Sequence, residues 1–141
     1  MRIDERVLAG AVELIAHDLT ATLGWGHARA QAEARDALGN RMQFPLDGLA
    51  WEQLDPATRQ EVLGDLVVEA VEDLQQRLHD TFVDTTWPAC PRHQQHPLWL
   101  GEDDRGGTAW CCLRDHAAIA PLGHCRRGRL TPLLTDAAWP P

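Results

Sequence analysis

Residues 90–113 read CPRHQQHPLWLGEDDRGGTAWCCL, and the fold of the C-terminal third turns on how they are taken. Two apolar runs flank the polar stretch Glu102-Asp103-Asp104-Arg105-Gly106-Gly107, the pattern of a β-hairpin. The spacing predicts one strand over 97–101, with Leu98 and Leu100 flanking Trp99, a second over 108–113 and a third over 117–122. Thiols and imidazoles gather at the open end of this hairpin. Cys90, His93, His96, Cys111, Cys112, His116, His124 and Cys125 fall within 36 residues, a stretch that holds every cysteine of the chain and four of its seven histidines. Sulfur and imidazole at this density are the donor set that Zn²⁺ prefers, and mixed Cys/His coordination also suits iron.

Cys90-Pro91-Arg92-His93 has the C-x2-H spacing of a metal-binding knuckle, with Pro91 fixing the turn after the first ligand. His96 follows three residues later, just before Pro97. The second half of a tetrahedral site must come from the far strand, where Cys111 and Cys112 stand 21 and 22 residues after Cys90. Adjacent strand residues point to opposite faces, so only one of the two can face the metal. Cys112 is favoured because it sits where the strand turns into Leu113-Arg114-Asp115, which leaves Cys111 as a small buried apolar side chain. The fourth place is contested. His96 can close the first turn, and Cys112-x3-His116 also has ligand spacing. His124 and Cys125 lie beyond the third strand and are weaker candidates. The plainer alternative is buried thiols and surface histidines with no metal.

Cys90-Pro91-x-His93-x2-His96-Pro97-Leu98, followed by Trp110-x-Cys112-x-Arg114-Asp115 and Ala120-Pro121-Leu122-Gly123, resembles the C-terminal segment of small uncharacterised proteins from high-GC bacteria. In those chains a zinc-ribbon-like hairpin follows a helical region. The resemblance implies Cys90, His93, His96 and Cys112 as the ligand positions. This chain departs from the pattern by placing Leu113 where a knuckle usually has proline and by doubling the cysteine.

Upstream the pattern is helical. Leu8, Val12, Ile15, Leu19 and Leu23 recur at helical spacing over 4–23, with Asp4 as a cap, Gly24 as a stop, and Glu13, His17 and Asp18 on the other side. His17 and His27 read as solvated helix residues. Alanines dominate 26–38, which gives helix propensity with little burial, and Gly39-Asn40 ends that run. Trp25 is placed to wedge the intervening turn. Turn signals at Phe44-Pro45 and Asp47-Gly48 lead to a short helical turn over 49–54, with Trp51 facing inward. Asp55-Pro56 opens the clearest helix, whose stripe of Leu63, Leu66, Val67, Ala70, Val71, Leu74 and Leu78 reaches Phe82. Acids line its outer face, the signature of a solvated surface. The predicted fold is α+β: a body of about three helices over 1–84, a zinc-ribbon-like β lobe over 85–125 and a tail over 126–141. The lobe's apolar content is thin, so coordination is expected to stand in for a core.

A chain of 141 residues, 44% hydrophobic, suits one domain or one body with a small appendage. No apolar run is long enough to span a membrane, and the start lacks a signal-peptide pattern, so a cytoplasmic location is expected. There thiols stay reduced and clustered cysteine reads as metal before disulfide. The net charge of −8 is uneven: residues 1–85 carry 16 acids against 7 arginines, residues 86–141 carry 5 against 6, and there is no lysine. Such a body repels phosphate backbones. The leading reading is therefore a zinc-stabilised protein-interaction or regulatory module, non-catalytic, with Trp87, Trp99 or Trp139 as partner anchors. The alternative is a nucleic-acid-binding zinc ribbon using Arg126-Arg127-Gly128-Arg129. A zinc-dependent hydrolase with an open coordination position and Glu102 or Asp103 as base ranks below it, since no catalytic signature such as H-E-x-x-H is present. A redox role for the vicinal Cys111-Cys112 pair ranks last.

Overall fold

Asp4 and Gly24 set the limits of the first helix. The Asp4 carboxylate accepts the Arg6 N–H at 2.7 Å. Gly24 takes the left-handed conformation at φ 71°, which costs glycine nothing, and returns its N–H to the Thr20 carbonyl. Between them runs α1, Glu5–Leu23. In the same way Asp55 accepts the Thr58 N–H at 2.7 Å, and Pro56 opens the long helix behind it. The computed structural model describes residues 3–39, 50–81, 87–93 and 96–125. The turns expected around Phe44 and Asp47, the helix end at Phe82, and the tail with Arg126, Arg127, Arg129 and Trp139 lie outside the described residues.

Within them α2 spans His27–Gly39, a short 3-10 turn spans Trp51–Gln53 and α3 spans Pro56–Thr81. Three antiparallel strands follow in the order β1 (Trp99–Glu102), β2 (Thr108–Cys112) and β3 (Ala117–Pro121). The chain is thus α+β, with three helices ahead of a small sheet. Leu100 faces Trp110 and Trp99 faces Cys111 across the first pair, while the β2–β3 register shifts between Trp110 and Cys111. The first strand starts two residues later than the pattern predicts. Residues 97 and 98 pair elsewhere: Pro97 bridges Ala89, and the Leu98 N–H donates to the Pro88 carbonyl at 2.8 Å.

Helix α2 packs on both α1 and α3, and its alanines allow that close approach because Ala30, Ala34 and Ala37 are all buried. The stripe of α3 is buried through Leu66, Val67, Ala70, Val71, Leu74 and Leu78, with Val62 deeper than the half-buried Leu63. The core does not stop at the helices. Ile15, Leu19, Leu38, Val71 and Leu74 belong to one buried cluster with Trp87, Leu98, Trp110 and Ile119. Trp87 and Trp110 meet edge to face, with ring centroids 5.3 Å apart. The sheet is therefore not short of apolar contacts, contrary to the expectation from composition, because it borrows the helices' core. A smaller cluster of Ile3, Leu8, Trp51, Leu54, Val62 and Leu66 closes the other end of the helices.

Asp18 corrects the helical pattern. Placed on the outer face by its neighbours Glu13 and His17, it is 0% exposed. Its Oδ2 accepts the Trp110 indole N–H and the Gly123 N–H, both at 2.7 Å, and its Oδ1 accepts the Cys125 N–H at 2.9 Å. Gly123 sits at φ 87° hard against α1, where an added Cβ would fall 2.3 Å from Leu14 Cδ2. A second latch lies one turn on: the Trp87 indole N–H donates to Thr22 Oγ1 at 2.8 Å. Trp87 is buried, so it does not serve as an exposed anchor.

Candidate metal centre

The loop from Cys90 to Pro97 is closed on itself. The Cys90 N–H donates to the His96 carbonyl at 3.1 Å, and the His96 N–H to the His93 carbonyl at 3.2 Å. Gln75 of α3 holds the base of the loop, its amide nitrogen donating to the carbonyls of Trp87 at 3.0 Å and Leu98 at 2.7 Å. The far side is supplied by Cys112, the last residue of β2, fully buried like Cys90. This brings Cys90, His93, His96 and Cys112 together, with one ligand-type atom from each lying within 4.8 Å of all the others. The group could hold a metal ion.

The individual atoms are disposed as donors. His93 Nδ1 stands 3.7 Å from the Cys90 sulfur and 3.4 Å from the Cys112 sulfur. Bonds of about 2.3 Å to sulfur and about 2.05 Å to nitrogen, set at the tetrahedral angle, give a sulfur–nitrogen edge of about 3.6 Å. His96 Nδ1 lies 3.2 Å from the Pro97 carbonyl oxygen, which can only accept, so the neutral tautomer that satisfies this contact is the one with the hydrogen on Nδ1. That leaves the lone pair on Nε2, which is buried with no hydrogen-bond partner. A buried acceptor left unpaired costs about 1–3 kcal/mol, and coordination would remove that cost. The two imidazoles stack, with centroids 5.2 Å apart.

Around these donors lies a shell of supporting contacts. The Asp115 N–H donates to the Cys112 sulfur at 3.4 Å. The Asp115 carboxylate lies 3.8 Å from His93 Nε2 and 3.5 Å from Arg92 Nη1. Burial pushes the Cys90 thiol above its usual value and the neighbouring Cys112 adds to this, while the N–H groups of Arg92 and His93 pull it down. An ion would replace the proton there.

The other candidates are elsewhere. Cys111 points to the opposite face, where a Cβ on Gly101 would stand 3.4 Å from its sulfur, and it is half-buried rather than buried. His116 sits exposed at φ 55° in the β2–β3 turn, and His124 is exposed. Cys125 is buried beside Asp18. Asp103 shapes the hairpin turn, its Oδ1 accepting the N–H groups of Arg105 and Gly107. His17 and His27 are exposed, as expected, beside Asp18 and Glu13. Sequence reasoning missed Asp18 and Asp115. Asp18 was within reach, since Ala11, Ile15, Asp18 and Thr22 fall on one helical face; Asp115 carries no such signal.

The chain matches no family model, no curated protein and no solved structure. Among the described residues no helix is long and apolar enough to cross a membrane.

Proposed function

We propose that this chain is a zinc-stapled, non-catalytic module that presents a surface to another protein in a reducing, cytoplasmic setting. The observation that carries the reading is the convergence of two sulfurs and two imidazoles, one of whose nitrogens is buried with no other partner. Two thiolates and two neutral imidazoles suit Zn²⁺ in charge and softness. Four protein donors leave no position for water or substrate, and a closed site stabilises rather than reacts. The ion would join the loop of residues 90–97 to the end of β2, two segments otherwise tied mainly through the core. Trp99, left 38% exposed, is the anchor the reading assigns to a partner.

Native mass spectrometry with elemental analysis, on protein expressed in the cytosol, tests this directly. The expected result is one zinc per chain, lost together with a change in near-UV circular dichroism on chelation. Protein that carries no transition metal, or that keeps its near-UV signal after the metal is stripped, would defeat the reading.

A further inference from the structure

A cleft of about 420 Å³ opens between α3 and the approach to β1, with Glu72, Gln75, Gln76 and His79 on one side and Trp87, Pro97 and Trp99 on the other. Apart from the His79 imidazole, the donors around it are already engaged, so its polar chemistry leans toward acceptors. Gln75 Nε2 spends both protons on the carbonyls of Trp87 and Leu98. Gln76 Nε2 donates to Asp80 at 3.0 Å, and the Trp87 indole N–H donates to Thr22. What the two glutamines can still offer is chiefly amide oxygen. Glu72 adds a carboxylate that has no ion-pair partner among the described residues, and Trp99 adds an indole 38% exposed. Among the described residues no arginine lines the cleft.

Acceptors, a carboxylate and an aromatic face together call for a flat cation rich in donors. We infer that this cleft takes the guanidinium of an arginine side chain presented by a partner protein. Guanidinium has five N–H donors in a plane that can stack on an indole while bonding a carboxylate in its own plane. The surplus of acids over residues 1–85 draws a basic segment toward the helices. The inference rests on reading the chain as an interaction module. The loop that carries Pro97 also carries Cys90, His93 and His96, so the metal centre would fix one wall of the cleft.

The test is a ¹H–¹⁵N NMR titration of the full, metal-analysed chain with a capped Gly-Arg-Gly peptide and with the same peptide bearing neutral citrulline. The arginine peptide is expected to shift the Trp99 indole N–H and the Gln76 side-chain amide saturably, and the citrulline peptide to leave them unmoved. Glu72→Gln and Trp99→Ala should each weaken binding about two- to fivefold. Asp104→Asn, in the hairpin turn, should leave it unchanged. Equal shifts with citrulline, shifts scattered over the acidic helices without Trp99, or an equal loss from Asp104→Asn would overturn the assignment. Zinc-loaded protein that ignores the arginine peptide defeats the cleft and leaves the metal reading standing. Metal-free protein that binds it equally well removes the ion's part in fixing that wall and leaves the cleft, while the metal reading is judged separately by elemental analysis.

Discussion

Asp18 receives hydrogen on both oxygens: Trp110 and Gly123 at Oδ2, Cys125 and His17 at Oδ1. A side chain that must accept at both oxygens cannot be replaced by one carrying an amide. Asp18→Asn turns an NH2 group toward at least one N–H and leaves that buried donor unpaired. The variant should lose about 3 kcal/mol in urea unfolding, while its metal content stays intact. A loss below about 0.5 kcal/mol would mean that water takes over the bonds. The cysteines separate just as sharply. Burial, with Asp18 beside it, pushes the Cys125 thiol far above the usual range, and burial with Asp103 nearby raises Cys111. Cys90→Ser and Cys112→Ser should each release the metal, whereas Cys111→Ser and Cys125→Ser should keep full occupancy by elemental analysis. Loss of metal from Cys125→Ser would show that the wrong fourth sulfur or nitrogen has been assigned.

Helix limits were readable because caps are local chemistry. Asp4, Gly24 and Asp55-Pro56 each act on groups within four residues, and each helix starts or stops where they stand. Strand limits were less readable, because a strand ends where its partner does: Leu98 looks like a strand residue but bonds to Pro88 rather than to the hairpin. Three members of the cluster that could hold a metal, Cys90, His93 and Cys112, were legible from spacing, including the preference for Cys112 over Cys111, since alternation along β2 separates the two sulfurs. Spacing left the fourth place open between His96 and His116, and only His96 joins the cluster. The latches were not, because Asp18 and Trp110 lie 92 residues apart and no local pattern joins them. The cap of α3 also has a pH signature. Hydrogen bonds from the Thr58 backbone and side chain hold Asp55 below the usual carboxylate value of 3.8. A group whose pKa is lowered by folding contributes stability that is full above its unfolded value and fades as pH falls through the folded one. Protection of the Thr58 amide from hydrogen exchange should therefore decline as pH drops below about 4, after correction for intrinsic exchange. In Asp55→Asn, which caps without titrating, that decline should disappear. A decline that persists unchanged in the variant would assign it to other carboxylates.

Over the whole chain, the question is whether the sheet and the helices melt as one body. The buried cluster runs without a break from Ile15, Leu19 and Leu74 to Trp110 and Ile119, so exposing the sheet's inner face also exposes the helices. Coupling of that kind makes unfolding a single transition, with far-UV helix and near-UV tryptophan signals lost at the same temperature. An ion held by the Cys90, His93, His96 and Cys112 cluster would then act as a ligand of the folded state only. At a free zinc concentration about 1,000 times the dissociation constant it would add about 4 kcal/mol, and for a chain of this size its removal should lower the midpoint by roughly 10–15 °C. The shift should appear equally in both signals, because the ion strengthens one cooperative unit rather than a separate lobe. Two resolved transitions after chelation, with the tryptophan signal melting first and the helices unmoved, would instead mark the C-terminal segment as an independent unit. In that case the latches at Asp18 and Thr22 would depend on the ion, and the shared core would not hold the sheet without it.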